Sequence, residues 1–231
     1  MIKIENLIKE YNLVEVVNIP SLTFEFGESI GLVGNNGAGK TTLFSMLLDL
    51  IAPSKGTIYS KDTSVASSEE WKSYTASFLD ETFLIDYLTA EEYFEFVGRV
   101  RGVSVEQIKS QVSEYSSFFN GEVLGQKKYI RDFSKGNQKK IGIVGCFIGN
   151  PELVVLDEPF ANLDPTTQIR LKELIRRKME DRKMTIIVSS HDLQHTFDIS
   201  DRVILMEKGK VVKDVNKASG SFDELMEYFN Q

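Results

Sequence analysis

Short apolar runs and amphipathic stretches alternate along most of the chain. Ile2–Ile4, Leu22–Phe26 and Ser29–Val33 read as strands. Lys40–Leu50 follows as a helix, with Leu43, Met46, Leu47 and Leu50 at helical spacing. Strands are predicted again at Gly56–Tyr59 and Ser73–Leu79. The middle has a different rhythm. Ala90–Arg101 and Val105–Phe119 read as consecutive amphipathic helices, the second striped by Val105, Ile108, Val112, Tyr115 and Phe119. Ile141–Ile148 reads as a buried helix. Alternation then returns: apolar strands at Leu153–Leu156 and Thr185–Ser189, a charged helix over Thr166–Glu180 between them, then a hairpin from Arg202–Met206 and Lys210–Val212. A short helix is predicted over Asp223–Phe229.

Strands that are apolar on both faces and separated by helices point to an α/β fold with a largely parallel sheet, covered on each side. The helix-only stretch 89–145 reads as an inserted helical subdomain. Phe118–Lys128, which holds Asn120-Gly121 and Gly125, is its expected flexible connection.

Composition narrows the class. With 231 residues, 42% hydrophobic and 26% charged, the chain can bury a proper core and is neither collagen-like nor disordered. The 27 basic and 34 acidic residues give a net charge of −7, the wrong sign for a protein whose main partner is a nucleic-acid backbone. The longest apolar stretch, Ile141–Gly149, is far below the ~18 residues that span a bilayer. No basic segment followed by an apolar one opens the chain, so no secretory leader is expected and a cytoplasmic location is. The single cysteine, Cys146, excludes an internal disulfide and a cysteine-based zinc site, and reads as a small buried apolar residue.

The strongest chemical signal is Gly34-Asn35-Asn36-Gly37-Ala38-Gly39-Lys40-Thr41, followed by Thr42. It fits G-x-x-x-x-G-K-[ST] at every fixed position, after a predicted strand and at the start of a predicted helix. Glycines let the backbone N–H groups of such a loop curl around phosphate, and the helix N-terminus adds positive potential. Lys40 would reach the β- and γ-phosphates and the Thr41 hydroxyl would ligate Mg²⁺. The second element is Leu153-Val154-Val155-Leu156-Asp157-Glu158, a buried strand ending in two carboxylates where ligands of open α/β sheets collect. Asp157 suits the outer shell of Mg²⁺, and Glu158 suits a general base or water-positioning group. Together the two elements specify a P-loop NTPase.

The remaining motifs carry a family resemblance. Phe133-Ser134-Lys135-Gly136-Asn137-Gln138-Lys139-Lys140, ahead of the acidic strand, resembles the LSGGQ signature and basic helix of ABC ATPases. Phe160-Ala161-Asn162-Leu163-Asp164 looks like their D-loop, Ser189-Ser190-His191-Asp192 like their switch histidine, and Tyr11 is placed like their adenine-stacking aromatic. On its own, each also has a plainer reading. Ser134–Gln138 suits an ordinary capped helix start with Lys139 and Lys140 in solvent, Tyr11 suits a core aromatic, and Arg176-Arg177-Lys178 suits a solvated helix face. His195 reads as structural.

The resemblance runs from Ile2 to about Val212. It implies a P-loop NTPase core with a mixed, largely parallel sheet and a small N-terminal antiparallel β region. Residues 1–231 then form a single ABC ATPase domain, with 1–88 and 146–231 as the nucleotide-binding core. It further implies ATP and Mg²⁺ held between two head-to-tail ATPase subunits, alike or different, with Lys40, Glu158 and His191 catalytic. Ser134, Gly136 and Asn137 would reach the partner protomer's ATP. The chain would be peripheral on the cytoplasmic face of the membrane, docked on a separate permease through a groove bordered by Phe83, Tyr87, Tyr93 and Phe94.

Two departures stand out. Lys135 replaces the usual glycine and Asn137 the usual glutamine, and the Ser134-Lys135-Gly136 signature is similar to those of separate-subunit ATPases of drug and antimicrobial-peptide exporters. No glutamine stands where the Q-loop is expected, and Asp80, or Glu81 beside it, would take that metal-side position. The rival expectations are a soluble ABC ATPase acting on nucleic acid or ribosomes, and a regulatory subunit that binds nucleotide without turnover.

Overall fold

In the computed structural model, which describes residues 1–180 and 182–218, the fully apolar runs become the centre of a six-stranded sheet. The predicted helix over Asp223–Phe229 lies outside the described residues. Strands β3 (Ser29–Val33), β7 (Leu153–Leu156) and β8 (Thr185–Ser190) are buried along their whole length. They are joined by β6 (Thr75–Phe78), β9 (Arg202–Glu207) and β10 (Lys210–Asn216) in the spatial order β10-β9-β3-β8-β7-β6. Every pairing is parallel except the β9–β10 hairpin. Alternation across the pleat feeds two apolar clusters: Val154, Leu156, Ile186 and Val188 face one, while Leu153, Val155 and Ile187 face the other.

A second, antiparallel sheet holds β1 (Ile2–Tyr11), β2 (Val14–Phe24), β4 (Lys55–Ser60) and β5 (Thr63–Ser64) in the order β2-β1-β4-β5. The two strands expected here, Ile2–Ile4 and Leu22–Phe26, prove to be the paired open end of one long hairpin, with Ile2 opposite Phe24 and Tyr11 opposite Val14 at the turn. Burial at Ile4 and Leu7, and at Val17, Ile19 and Leu22, carries the strands through polar residues that hid them.

Helix α1 (Lys40–Leu47) ends before Leu50, which is exposed. A short α2 (Glu70–Tyr74) takes the start of the predicted 73–79 strand. Next come α3 (Ala90–Val100) and α4 (Val105–Ser113), each opened by a capping box, Thr89 with Glu92 and Ser104 with Gln107. The predicted Val105–Phe119 helix is broken: α5 (Ser116–Phe119) is separate, and Tyr115 turns its ring into the core between the two. In the expected connection, Phe118, Phe119 and Val123 are buried while 120–122 and 125–128 are exposed.

Helix α6 (Lys135–Phe147) starts six residues before its apolar pattern because the Ser134 hydroxyl caps it, accepting from the Asn137 N–H at 3.3 Å. It packs on β6 so closely that a Cβ at Gly142 would lie 2.1 Å from Phe78 Cε2. The chain continues through α7 (Pro165–Met179) and α8 (Leu193–Ile199).

Candidate nucleotide site

Four turns meet at the C-terminal edge of the parallel sheet, where neighbouring strands end in register. Val33 pairs with Ser190, and Leu156 with Val188 and Phe78. The turn after β3 is the phosphate loop. Its Gly34 N–H donates to the Ser190 carbonyl at 3.2 Å, and its Ala38 N–H to the Asn35 carbonyl at 3.0 Å. Gly39 sits at φ +99°, and a Cβ there would lie 2.8 Å from the Val16 carbonyl of β2, so only glycine fits. Asn35, Asn36 and Gly37 are exposed, Ala38 and Lys40 are buried, and Thr41 is exposed with Thr42 half-buried. The Lys40 ammonium folds back over the loop, donating to the Gly34 carbonyl at 2.6 Å.

The turn after β7 supplies the acids. Asp157 accepts from the Thr41 hydroxyl at 2.5 Å and from the Ser189 hydroxyl at the end of β8. Burial pushes its carboxyl above the usual carboxylate range, against the pull of those two bonds. A Thr41 hydroxyl touching a carboxylate is a hard-oxygen pair that fits Mg²⁺.

Glu158 has the left-handed φ of +45°. Its N–H donates to the Ser189 hydroxyl at 2.8 Å. One carboxylate oxygen lies 3.3 Å from Lys40 Nζ, the other 2.8 Å from His191 Nδ1. A glycine-bearing turn with a buried lysine, a hydroxyl–carboxylate pair and a carboxylate braced by a histidine are therefore contiguous.

Comparison with known proteins agrees. A family model described as ABC transporter matches residues 17–161. The chain belongs to the ABC transporter family. It is 34% identical over 206 residues to the ABC transporter ATP-binding protein NatA of Bacillus subtilis, covering 87% of this chain and 81% of that protein. To the bacitracin transport ATP-binding protein BcrA of Enterococcus faecalis it is 31% identical, covering 94% and 69%. A solved ATP-binding subunit of an ABC transporter matches with TM-score 0.85 at 25% identity, over 100% of both chains. A dimeric ATP-binding cassette bound to ADP and Pi shares the fold, with TM-score 0.83 at 22% identity, over 94% and 98%. The cassette is an ATP-binding, ATP-hydrolysing one.

Other expected residues fall outside this cluster. Ser134 is exposed, Gly136 and Asn137 are half-buried, and among the described residues none of the three bonds to the phosphate loop. A Cβ at Gly136 would lie 3.4 Å from the Asn162 carbonyl, which places the start of α6 beside the turn that leads into α7. Asp164 caps α7, accepting from the Thr167 N–H at 3.0 Å and its hydroxyl at 2.6 Å, and these bonds hold its carboxyl below the usual range.

Tyr11 is not a core residue. It is 49% exposed at the end of β1, on the hairpin whose Val16 meets Gly39. Asp80 is exposed, and its carboxylate accepts from the Thr82 N–H at 2.6 Å. Of the four groove aromatics, Phe83 and Tyr87 are exposed but Tyr93 is partly buried and Phe94 wholly so, because α3 turns them into the core. His195 stacks on Phe160, ring centroids 5.2 Å apart.

The clearest miss is the basic pair on α6. Lys139 and Lys140 are buried, not solvated. Lys140 binds Glu122 at 2.8 Å, and Lys139 donates to the Glu158 carbonyl at 3.1 Å. Starting the helix at Ser134 would have put both one turn inside a helix that is buried from Gln138 to Phe147.

Proposed function

We propose that the cassette hydrolyses Mg-ATP as the motor subunit of a membrane exporter, docked on a separate permease at the cytoplasmic face. The single supporting observation is the contact chain Thr41–Asp157–Ser189–Glu158, closed by Lys40 and His191. In this reading Lys40 holds the β- and γ-phosphates, the phosphate-loop N–H groups from Asn35 to Thr42 wrap them, and Tyr11 stacks on adenine. Thr41 and Asp157 would hold Mg²⁺, and Asp80, two residues past β6, would reach it from the strand whose Phe78 carbonyl accepts from the Asp157 N–H at 2.9 Å. When bound there, Mg²⁺ would neutralise charge on the phosphates. Glu158 takes the proton of the attacking water, and His191 steadies that carboxylate and the γ-phosphate.

Ser134, Gly136 and Asn137, exposed or half-buried at the start of α6, complete the ATP site of a second ATPase subunit, with Asp164 at the same interface. Residues 89–145 act as the helical subdomain, and Phe83 and Tyr87 border the permease contact. Among the described residues no helix is long and apolar enough to cross a membrane, in keeping with a separate permease. Export of a drug or antimicrobial peptide is favoured by the Ser134-Lys135-Gly136 signature and by the likeness to BcrA.

Affinity capture of the tagged cassette from detergent-solubilised membranes tests this, with a polytopic membrane protein as the expected partner. Recovery with ribosomes or nucleic acid instead would overturn it.

A further inference from the structure

Lys139 has no part in the phosphate chemistry described above, yet its ammonium is taken out of water beside the site. The residue is 6% exposed. Its Nζ donates to the Glu158 carbonyl at 3.1 Å and lies 3.7 Å from a carboxylate oxygen of Glu81, itself 17% exposed. Burying an ammonium is costly unless it is paired and hydrogen-bonded, and methionine would fill the same space without that cost. The carbonyl it serves belongs to a residue under backbone strain. At φ +45° Glu158 lies in the left-handed region, which is disfavoured for L-residues other than Asn and Asp. Among the described residues its backbone has three partners. The Ser189 hydroxyl holds the N–H, and the carbonyl is held by Lys139 and by the Ala161 N–H at 3.2 Å.

We propose that Lys139 is a positioning residue for hydrolysis. Its ammonium clamps the Glu158 carbonyl, which fixes the strained peptide and so aims the carboxylate between Lys40 and His191. Glu81 keeps the ammonium in place by balancing its charge. The inference rests on the reading of Glu158 as the group that activates water. Without the clamp the carbonyl keeps one neutral donor, and the peptide can relax toward ordinary φ. A displacement of about 1 Å in a reacting group costs up to ~10²-fold in rate, while phosphate binding at the loop, which uses other atoms, is unaffected.

The test is steady-state ATP hydrolysis by the full chain, with affinity for a non-hydrolysable ATP analogue measured in parallel. Lys139→Met should lower kcat roughly 10- to 100-fold and leave KM and analogue affinity within about threefold of wild type. Lys139→Arg, which keeps a charged donor, should return kcat to within about threefold. Glu81→Gln should fall between. If Lys139→Met does not fold, Lys139→Leu, which likewise lacks both the charge and any donor, carries the same expectation. A kcat within about twofold of wild type overturns the clamp, as does affinity lost in step with kcat, or an arginine variant no better than methionine. Glu158→Gln, run alongside, separates the two readings. If it loses turnover while Lys139→Met does not, the clamp alone is rejected. If it keeps turnover, the role of Glu158 is rejected.

Discussion

Replacing Glu158 by glutamine should move binding and turnover in opposite directions. Lys40 faces the Glu158 carboxylate at 3.3 Å, so a γ-phosphate competes with that carboxylate for the ammonium. At an effective dielectric constant of ~20, two unit charges at this distance attract by about 5 kcal/mol before desolvation is counted. The net value is smaller. Glu158 is 25% exposed and Lys40 keeps its bond to the Gly34 carbonyl, so about 1–2 kcal/mol is reasonable for the pair. Removing that competitor should tighten a non-hydrolysable ATP analogue roughly 5- to 30-fold. Losing the base should slow hydrolysis by about 10²-fold or more. Titration calorimetry with Mg²⁺ and the analogue reads the first effect, and phosphate release under saturating ATP reads the second. Affinity unchanged or weakened would refute the competition. Turnover within about threefold of wild type would refute the catalytic role. The same variant should elute as a dimer with Mg-ATP and not with ADP.

Four further outcomes are expected. Lys40→Ala should cut turnover by about 10²-fold or more and weaken analogue binding, since Lys40 is the cation held over the phosphate loop. Asp80→Ala should raise the Mg²⁺ concentration for half-maximal activity while Glu81→Ala leaves it unchanged; a shift only in Glu81→Ala would move the metal-side role one residue on. Gly142→Ala should destabilise by about 1–3 kcal/mol in a denaturant titration, because the new methyl meets Phe78 at 2.1 Å and α6 must lift from β6. A gain in stability from helix propensity would show that the packing yields. Glu122→Gln should cost about 1 kcal/mol, since Lys140 is 4% exposed while its partner is 47% exposed and screened by solvent. The Lys140 ammonium holds the Glu122 carboxyl below the usual range. The difference between wild type and variant is therefore full above about pH 4.3 and should close as the pH falls through the lowered value.

What the sequence determined by itself is what is local along the chain. The phosphate loop is one unbroken segment, so its composition and the strand before it were enough to place Lys40 and Thr41. Fully buried strands advertise themselves as apolar runs, and the acids that follow β7 fall at its C-terminal end by continuity alone. Tertiary structure decided which distant residues meet. Thr41 and Asp157 are 116 residues apart, and Ser189 and Asp157 are 32 apart, yet both contacts build one site. It also decided burial where residue type misleads. A lysine is read as solvated because leaving water is costly, and only an anion or carbonyl from another segment removes that cost. For Lys140 the partner is Glu122, 18 residues away, and for Lys139 it is the carbonyl of Glu158, 19 away. Tyr11 and Phe94 show the same dependence with the opposite result. One aromatic ends on an exposed hairpin and the other inside the core, because strand pairing and helix packing, not the ring, set how much of each reaches solvent.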